Sequence, residues 1–280
     1  MLFCTKILAG RHGLSLFVGV DEYDAPANNS TFTDVNTGLD NDIAKKVAEI
    51  ERLFKDNFFA VLKQACGKFI ISKYFLTGVT PAFRSGISPL HETGIVSGRP
   101  ELHGICGFTE SEVKIIVQHY LCVDEQMAEP MVHAMRRMYN GYFFSNFDYN
   151  KSDLLYNPHQ VLNYLDEHRN HGVSRHDEST PVHSTAILKS ISNIGEFSVE
   201  DLINLVSDGN VRLDIITEFG FAELLRVGKD KAITFSLLFY LGILTRGPSG
   251  YLKIPNDVVK SDVCIVLSPY IQLARKKIIT

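Results

Sequence analysis

The chain has 280 residues, 45% of them hydrophobic and 21% charged, with a formal net charge of −4. Such a length buries a real core in one large or two moderate domains. The acidic balance argues against a generally basic nucleic-acid surface, without excluding a local patch. No stretch approaches the roughly 18 apolar residues that a membrane helix requires.

The opening nine residues are apolar, but Lys6, Arg11 and His12 interrupt them before a signal-peptide core forms. Next, Leu16 to Val20 is an apolar run too short for a helix, bounded by Gly13 and Pro26, and predicts a buried strand of a parallel sheet. It ends in Asp21, Glu22 and Asp24. Ligand chemistry in such sheets sits at the carboxyl ends of strands. There one carboxylate can hold Mg²⁺ through water while its neighbour polarises an attacking water. An ordinary acidic turn is the competing reading, since Asp and Pro are common turn residues.

After a polar loop at Ala27 to Thr33, Asp42 is a candidate N-cap for one helix from Ile43 to Cys66, with a break near Asn57 and a stop at Gly67. Phe69 to Leu76 then predicts a second buried strand ending at Thr77-Gly78. Strand, helix, strand implies a crossover and a parallel pair, which brings Thr77 to Asp21 and Glu22. Thr77 is either a sensor-type hydroxyl for a water or phosphate oxygen, or a capping hydroxyl in the next turn. Arg84 invites an arginine-finger reading but sits in a Ser/Gly/Pro loop typical of solvated surface. Ser85 to Arg99 is the best linker of the first half.

Thr109-Glu110-Ser111-Glu112 is a capping box that opens a helix through Val113, Ile116, Val117 and Tyr120. A second helix covers about Asp124 to Met138, and Asn140-Gly141 reads as its left-handed C-terminal turn. Asn157-Pro158 starts a third helix. Asp166 to His183, charged, rich in His and without an apolar period, reads as an exposed mobile loop from its flanking Asn, Asp, Glu and Ser, and the His spacings follow no metal-ligand rule. Further helices are expected near Ser184 and at Ser198. A helix from about Ala232 to Leu241, then Ile243 to Thr245, a Gly/Pro turn and Tyr251 to Pro255, has the order of a winged helix, with Arg246 and Lys253 at the wing. Such a wing serves DNA binding or acts as a lid, and the acidic chain favours the lid. The five cysteines are scattered and odd in number, which fits reduced, mostly buried thiols of an intracellular protein.

Several strings together resemble the AAA-ATPase-like domain family often fused to a C-terminal PD-(D/E)XK nuclease domain. Val20-Asp21-Glu22-Tyr23-Asp24-Ala25-Pro26 is similar to its Walker B segment, and Phe75 to Pro81 to its second strand and sensor turn. Leu102 to Val113, Met138 to Ser145 with Leu155 to Pro158, and Leu238 to Thr245 with Leu252 to Asn256 resemble later blocks in the same order. The resemblance implies ATP and Mg²⁺ as cofactors, with Asp21 holding the metal and Glu22 activating water. A phosphate loop, G-x-x-x-x-G-K-[ST], is missing. Gly10 to Ser15 has two glycines but no lysine, and Gly67-Lys68-Phe69 lacks the upstream glycine and the hydroxyl. Either the chain starts inside a longer product or it is a relic that kept the second half of the core. No D-(x)n-E-x-K pattern on paired strands points to a nuclease.

The expected architecture is therefore α/β: a remnant of a P-loop NTPase parallel sheet over residues 1–100, a helical lid region over 101–225, and a small winged-helix-like unit with a tail over 226–280. The expected function is a divergent ATPase-like domain without independent ATP hydrolysis, the alternative being a non-catalytic interaction or nucleic-acid-associated module. The partners are then a second copy or another protein, with nucleic acid unsupported by charge and no membrane.

Overall fold

A computed structural model describes residues 12–25, 40–67, 71–81, 94–171, 199–207, 209–217, 220, 223, 226–227, 229–266 and 268. The fold is mixed α/β, with a two-stranded parallel sheet and a three-stranded antiparallel one. Contacts divide the chain into two units, one holding the residues up to Gly94 with Ile216–Ile233, the other Ile95–Ile215 with Thr234–Thr280. Of the three expected segments, 216–233 groups with the first unit and 234–280 with the helices that follow residue 95. No described helix is long and apolar enough to cross a membrane.

In the first unit, β1 (Leu16–Val20) and β2 (Ile71–Leu76) pair in parallel, from Leu16 opposite Ile71 to Val20 opposite Leu76, with a bulge after Leu16. Residues 12–15 pass straight into β1. Of the connection, residues 40–67 are helical: α1 (Asp40–Leu53), a π-helical turn (Phe54–Phe59) and α2 (Ala60–Gly67). The break expected near Asn57 is this π turn, where Phe54, Phe58 and Phe59 crowd with ring centroids 5.0 to 6.3 Å apart. Leu62 and Ala65 of α2 pack with Ile71 against Leu16, Val18, Tyr74 and Leu76, which alternate along one sheet face. The expectation of fully buried strands is corrected on the other face. Phe17 is 65% exposed and Phe75 42%. Among the described residues the helical packing lies on the face of Leu16, Val18, Tyr74 and Leu76, and the two-residue period turns Phe17 and Phe75 to the other.

The second unit is built on three helices. The Thr109 hydroxyl accepts from the Glu112 N–H at 3.3 Å and Glu112 returns the bond to the Thr109 N–H at 2.8 Å, so α3 (Glu110–Leu121) begins where the capping box places it. Asp124 caps α4 (Glu125–Tyr139) through the Met127 N–H, and Asn157 caps α5 (Pro158–His171) through the Gln160 N–H. Val113 and Val117 meet Ala128, Val132, Met135 and Tyr139, and Val161, Tyr164 and Leu165 close the cluster. Those i, i+3 and i, i+4 spacings form one helical face each. The expected loop at Asp166 is helical as far as His171, and His168 stacks on Tyr164.

Gly141 is no left-handed helix cap, because Asn140 is extended and Gly141 itself has φ +117°. Glycine is needed because a Cβ there would fall on the Pro255 carbonyl, 2.8 Å from its carbon. After α6 (Val199–Val206) come β3 (Val211–Arg212), α7 (Lys231–Tyr240), β4 (Thr245–Arg246) and β5 (Tyr251–Lys253), then α8 over 257–266. The strands run β3-β5-β4, so the expected hairpin has a third strand from upstream. Arg246 is not displayed at a wing. Its guanidinium lies over the Phe239 ring at 5.2 Å, and burial pulls its pKa below the usual arginine value. The described cysteines are free, but none is buried: Cys106 and Cys122 are exposed, Cys66 and Cys264 intermediate. The polar loop at Ala27 to Thr33, Arg84, most of the Ser85 to Arg99 linker, the loop beyond His171 and the cap at Ser198 lie outside the described residues.

Candidate functional site

The carboxyl ends of β1 and β2 form one corner. The Thr77 N–H donates to the Val20 carbonyl at 2.8 Å and the Tyr23 N–H to the Thr77 carbonyl at 3.1 Å, which extends the parallel ladder past both strands. Asp21 and Thr77 thereby share an edge, and the Thr77 hydroxyl donates to Asp21 Oδ1. The same oxygen accepts from the Glu22 N–H at 2.9 Å. Oδ2 makes no hydrogen bond among the described residues, and both acids are exposed. Glu22 takes φ +50°, and its carboxylate has no partner among the described residues. Sequence order thus brings together the three residues it singled out: Asp21, Glu22 and Thr77.

The third acid plays another part. Asp24 is 1% exposed and turns into the protein, accepting from the Val79 N–H at 3.2 Å, the Thr80 N–H at 2.7 Å and the Thr80 hydroxyl at 2.8 Å. The Tyr23 hydroxyl donates to the Thr80 carbonyl at 3.0 Å. Gly78 sits between them with no room for a side chain, since a Cβ would lie 2.8 Å from the Tyr23 ring and 2.9 Å from Asp24 Cγ. Asp24, Tyr23, Gly78 and Thr80 therefore position Thr77 against Asp21. The strings containing them were legible, yet their roles were not, because a carboxylate that satisfies backbone N–H groups has the same letter as one that faces solvent.

A metal fits this corner only through water. Among the described residues no group of three or more His, Cys, Asp or Glu could hold an ion directly. Asp21 Oδ2 can accept from the hydration shell of Mg²⁺, which usually keeps several of its waters. A triphosphate does not fit the residues present, because no lysine-bearing phosphate loop occurs in the sequence. No protein-family model, curated protein or solved structure matches the chain.

Proposed function

We propose that the chain is a divergent AAA-ATPase-like domain that retains a Walker B corner and has no independent ATP hydrolysis. The observation that supports this reading most is the Thr77 hydroxyl bonded to Asp21 at the shared carboxyl end of two parallel strands. In a complete site Mg²⁺ would supply charge neutralisation at the phosphates. Asp21 would then accept from its water shell and Glu22 would take a proton from the attacking water. α3 to α5 would form a lid, and α7 to β5 a winged-helix-like unit. Free thiols at Cys66, Cys106, Cys122 and Cys264 fit an intracellular setting.

A thermal melt with Mg-ATP tests the reading. No shift is expected, whereas a ligand at 100 times its Kd adds about 2.7 kcal/mol. A shift that Asp21→Ala abolishes would overturn it. With a phosphate loop supplied in the same chain, Glu22→Gln is expected to keep ATP binding and stop phosphate release, since an amide keeps the shape but takes no proton. Equal release by both proteins would remove Glu22 from the role. A second reading, a non-catalytic interaction module, is favoured by Phe17 and Phe75 on the open sheet face. Its partner would be another protein or a second copy.

A further inference from the structure

A cleft of about 570 Å³ opens in the second unit between the end of α4 and the corner where β5 leads into α8. Four cationic side chains line it, Arg136, Arg137, Lys151 and Lys253, against two carboxylates, Glu110 and Asp257, which leaves two positive charges over. The carboxylates orient the arginines without exhausting them. Arg136 gives Nε and Nη2 to Glu110 at 2.7 and 2.6 Å, and Arg137 gives the same two nitrogens to Asp257 Oδ2 at 3.2 and 2.9 Å. Arg136 also bonds the Tyr156 side chain, while Arg137 keeps its Nη1 donors. Lys253 is held by the Tyr149 hydroxyl at 3.3 Å and lies over that ring, while Lys151 is exposed and makes no bond among the described residues.

Asn256 is 8% exposed and caps α8, its Oδ1 accepting from the Val259 N–H at 3.1 Å. Its Nδ2 is buried on the side of the Tyr142 hydroxyl. The cleft also brings two apolar surfaces, Leu154 and Pro255, beside the charges. Its floor is fixed by the close approach of Gly141 to the Pro255 carbonyl.

We propose that this cleft binds a small phosphate monoester, its dianionic head among Lys151, Lys253 and the free face of Arg137, and its organic body against Leu154 and Pro255. Two surplus charges match a phosphate monoester, which carries between one and two negative charges at neutral pH. Fixed guanidinium forks suit its oxygens. The volume lies within the range of small-molecule sites. A polyanion such as nucleic acid is disfavoured by the net charge of −4 on the chain. The proposal does not depend on the Asp21 corner.

The test is calorimetric titration of the full 280-residue chain with phenyl phosphate, inorganic phosphate and a single-stranded oligonucleotide, in a buffer free of other polyvalent anions. Phenyl phosphate is expected to bind, and to bind more tightly than inorganic phosphate. Lys151→Ala and Lys253→Ala are each expected to weaken it roughly tenfold, as the loss of one charge-assisted bond implies. Lys151 is exposed and unbonded, so its variant tests binding without disturbing the fold, and Lys45→Ala serves as an exposed control. Three results overturn the proposal: no binding of phenyl phosphate, equal affinity for the two phosphates, or unchanged binding in Lys151→Ala and Lys253→Ala. Tighter binding of the oligonucleotide than of phenyl phosphate also overturns it and reassigns the cleft to nucleic acid.

Discussion

Asp24→Ala isolates the difference between a carboxylate that builds the strand-end corner and one that faces solvent. Asp24 accepts from the Val79 N–H, the Thr80 N–H and the Thr80 hydroxyl, and removing it takes that acceptor from all three. Asp24 and Thr80 are 1% and 2% exposed, so water does not replace the lost acceptor without opening the turn. A hydrogen bond to a charged group is worth about 1.5–3 kcal/mol, and the three are not additive. The expected loss is therefore about 3–5 kcal/mol, against less than about 1 kcal/mol for Asp21→Ala at an exposed carboxylate. Urea denaturation gives the global difference, and amide hydrogen exchange at Val79 and Thr80 gives the local one. Both amides should exchange faster in Asp24→Ala and keep their protection in Asp21→Ala. Equal stability of the two variants, or unchanged exchange at Val79 and Thr80, would refute the assignment of Asp24 to structure.

Two further outcomes follow from the second unit. Gly141→Ala adds a Cβ onto the Pro255 carbonyl at a backbone φ of +117° and should cost about 2–4 kcal/mol, read as a lower urea midpoint; a loss under about 1 kcal/mol would mean the corner relaxes freely. Burial, with the Glu110 carboxylate beside it, pushes the Tyr156 pKa up to about 12, so folding favours the neutral phenol. That contribution is complete below the unfolded value of about 10 and disappears as pH rises through about 12, a swing of about 2.7 kcal/mol. Stability should fall across that window and fall less steeply in Tyr156→Phe, the remaining slope coming from other groups whose pKa folding raises, among them Tyr139 and Tyr142 through burial and Tyr120 and Lys114 through their bonds to carboxylates.

Local signals were legible where one residue satisfies one neighbour. Thr109 with Glu112, Asp124 and Asn157 start their helices as written, because a cap is a bond within three residues. The pairing of Val20 with Leu76 and the meeting of Asp21 with Thr77 also follow from order, since a strand, a helix and a strand leave a parallel pair as the simplest solution. Long-range contacts were less legible. Gly141 read as a helix stop because Asn-Gly ends many helices, whereas its reason lies at Pro255, far along the chain. Arg246 read as an available cation, but its place over Phe239 depends on how α7 meets β4.

The two aspartates at the end of β1 show the same limit within one turn. Asp21 and Asp24 stand three residues apart after one apolar strand, and composition does not distinguish them. The chain reverses between them: Glu22 takes the left-handed conformation and its carbonyl accepts from the Ala25 N–H at 3.0 Å. That turn sends Asp24 under the Val79 and Thr80 amides while Asp21 stays at the rim with one oxygen unbonded. The buried carboxylate fixes the Val79 and Thr80 amides that follow Thr77 and Gly78, and the exposed one keeps an oxygen toward solvent. If the proposed corner meets a ligand, Asp21 is the carboxylate placed to do so, while Asp24 serves the turn that follows Thr77.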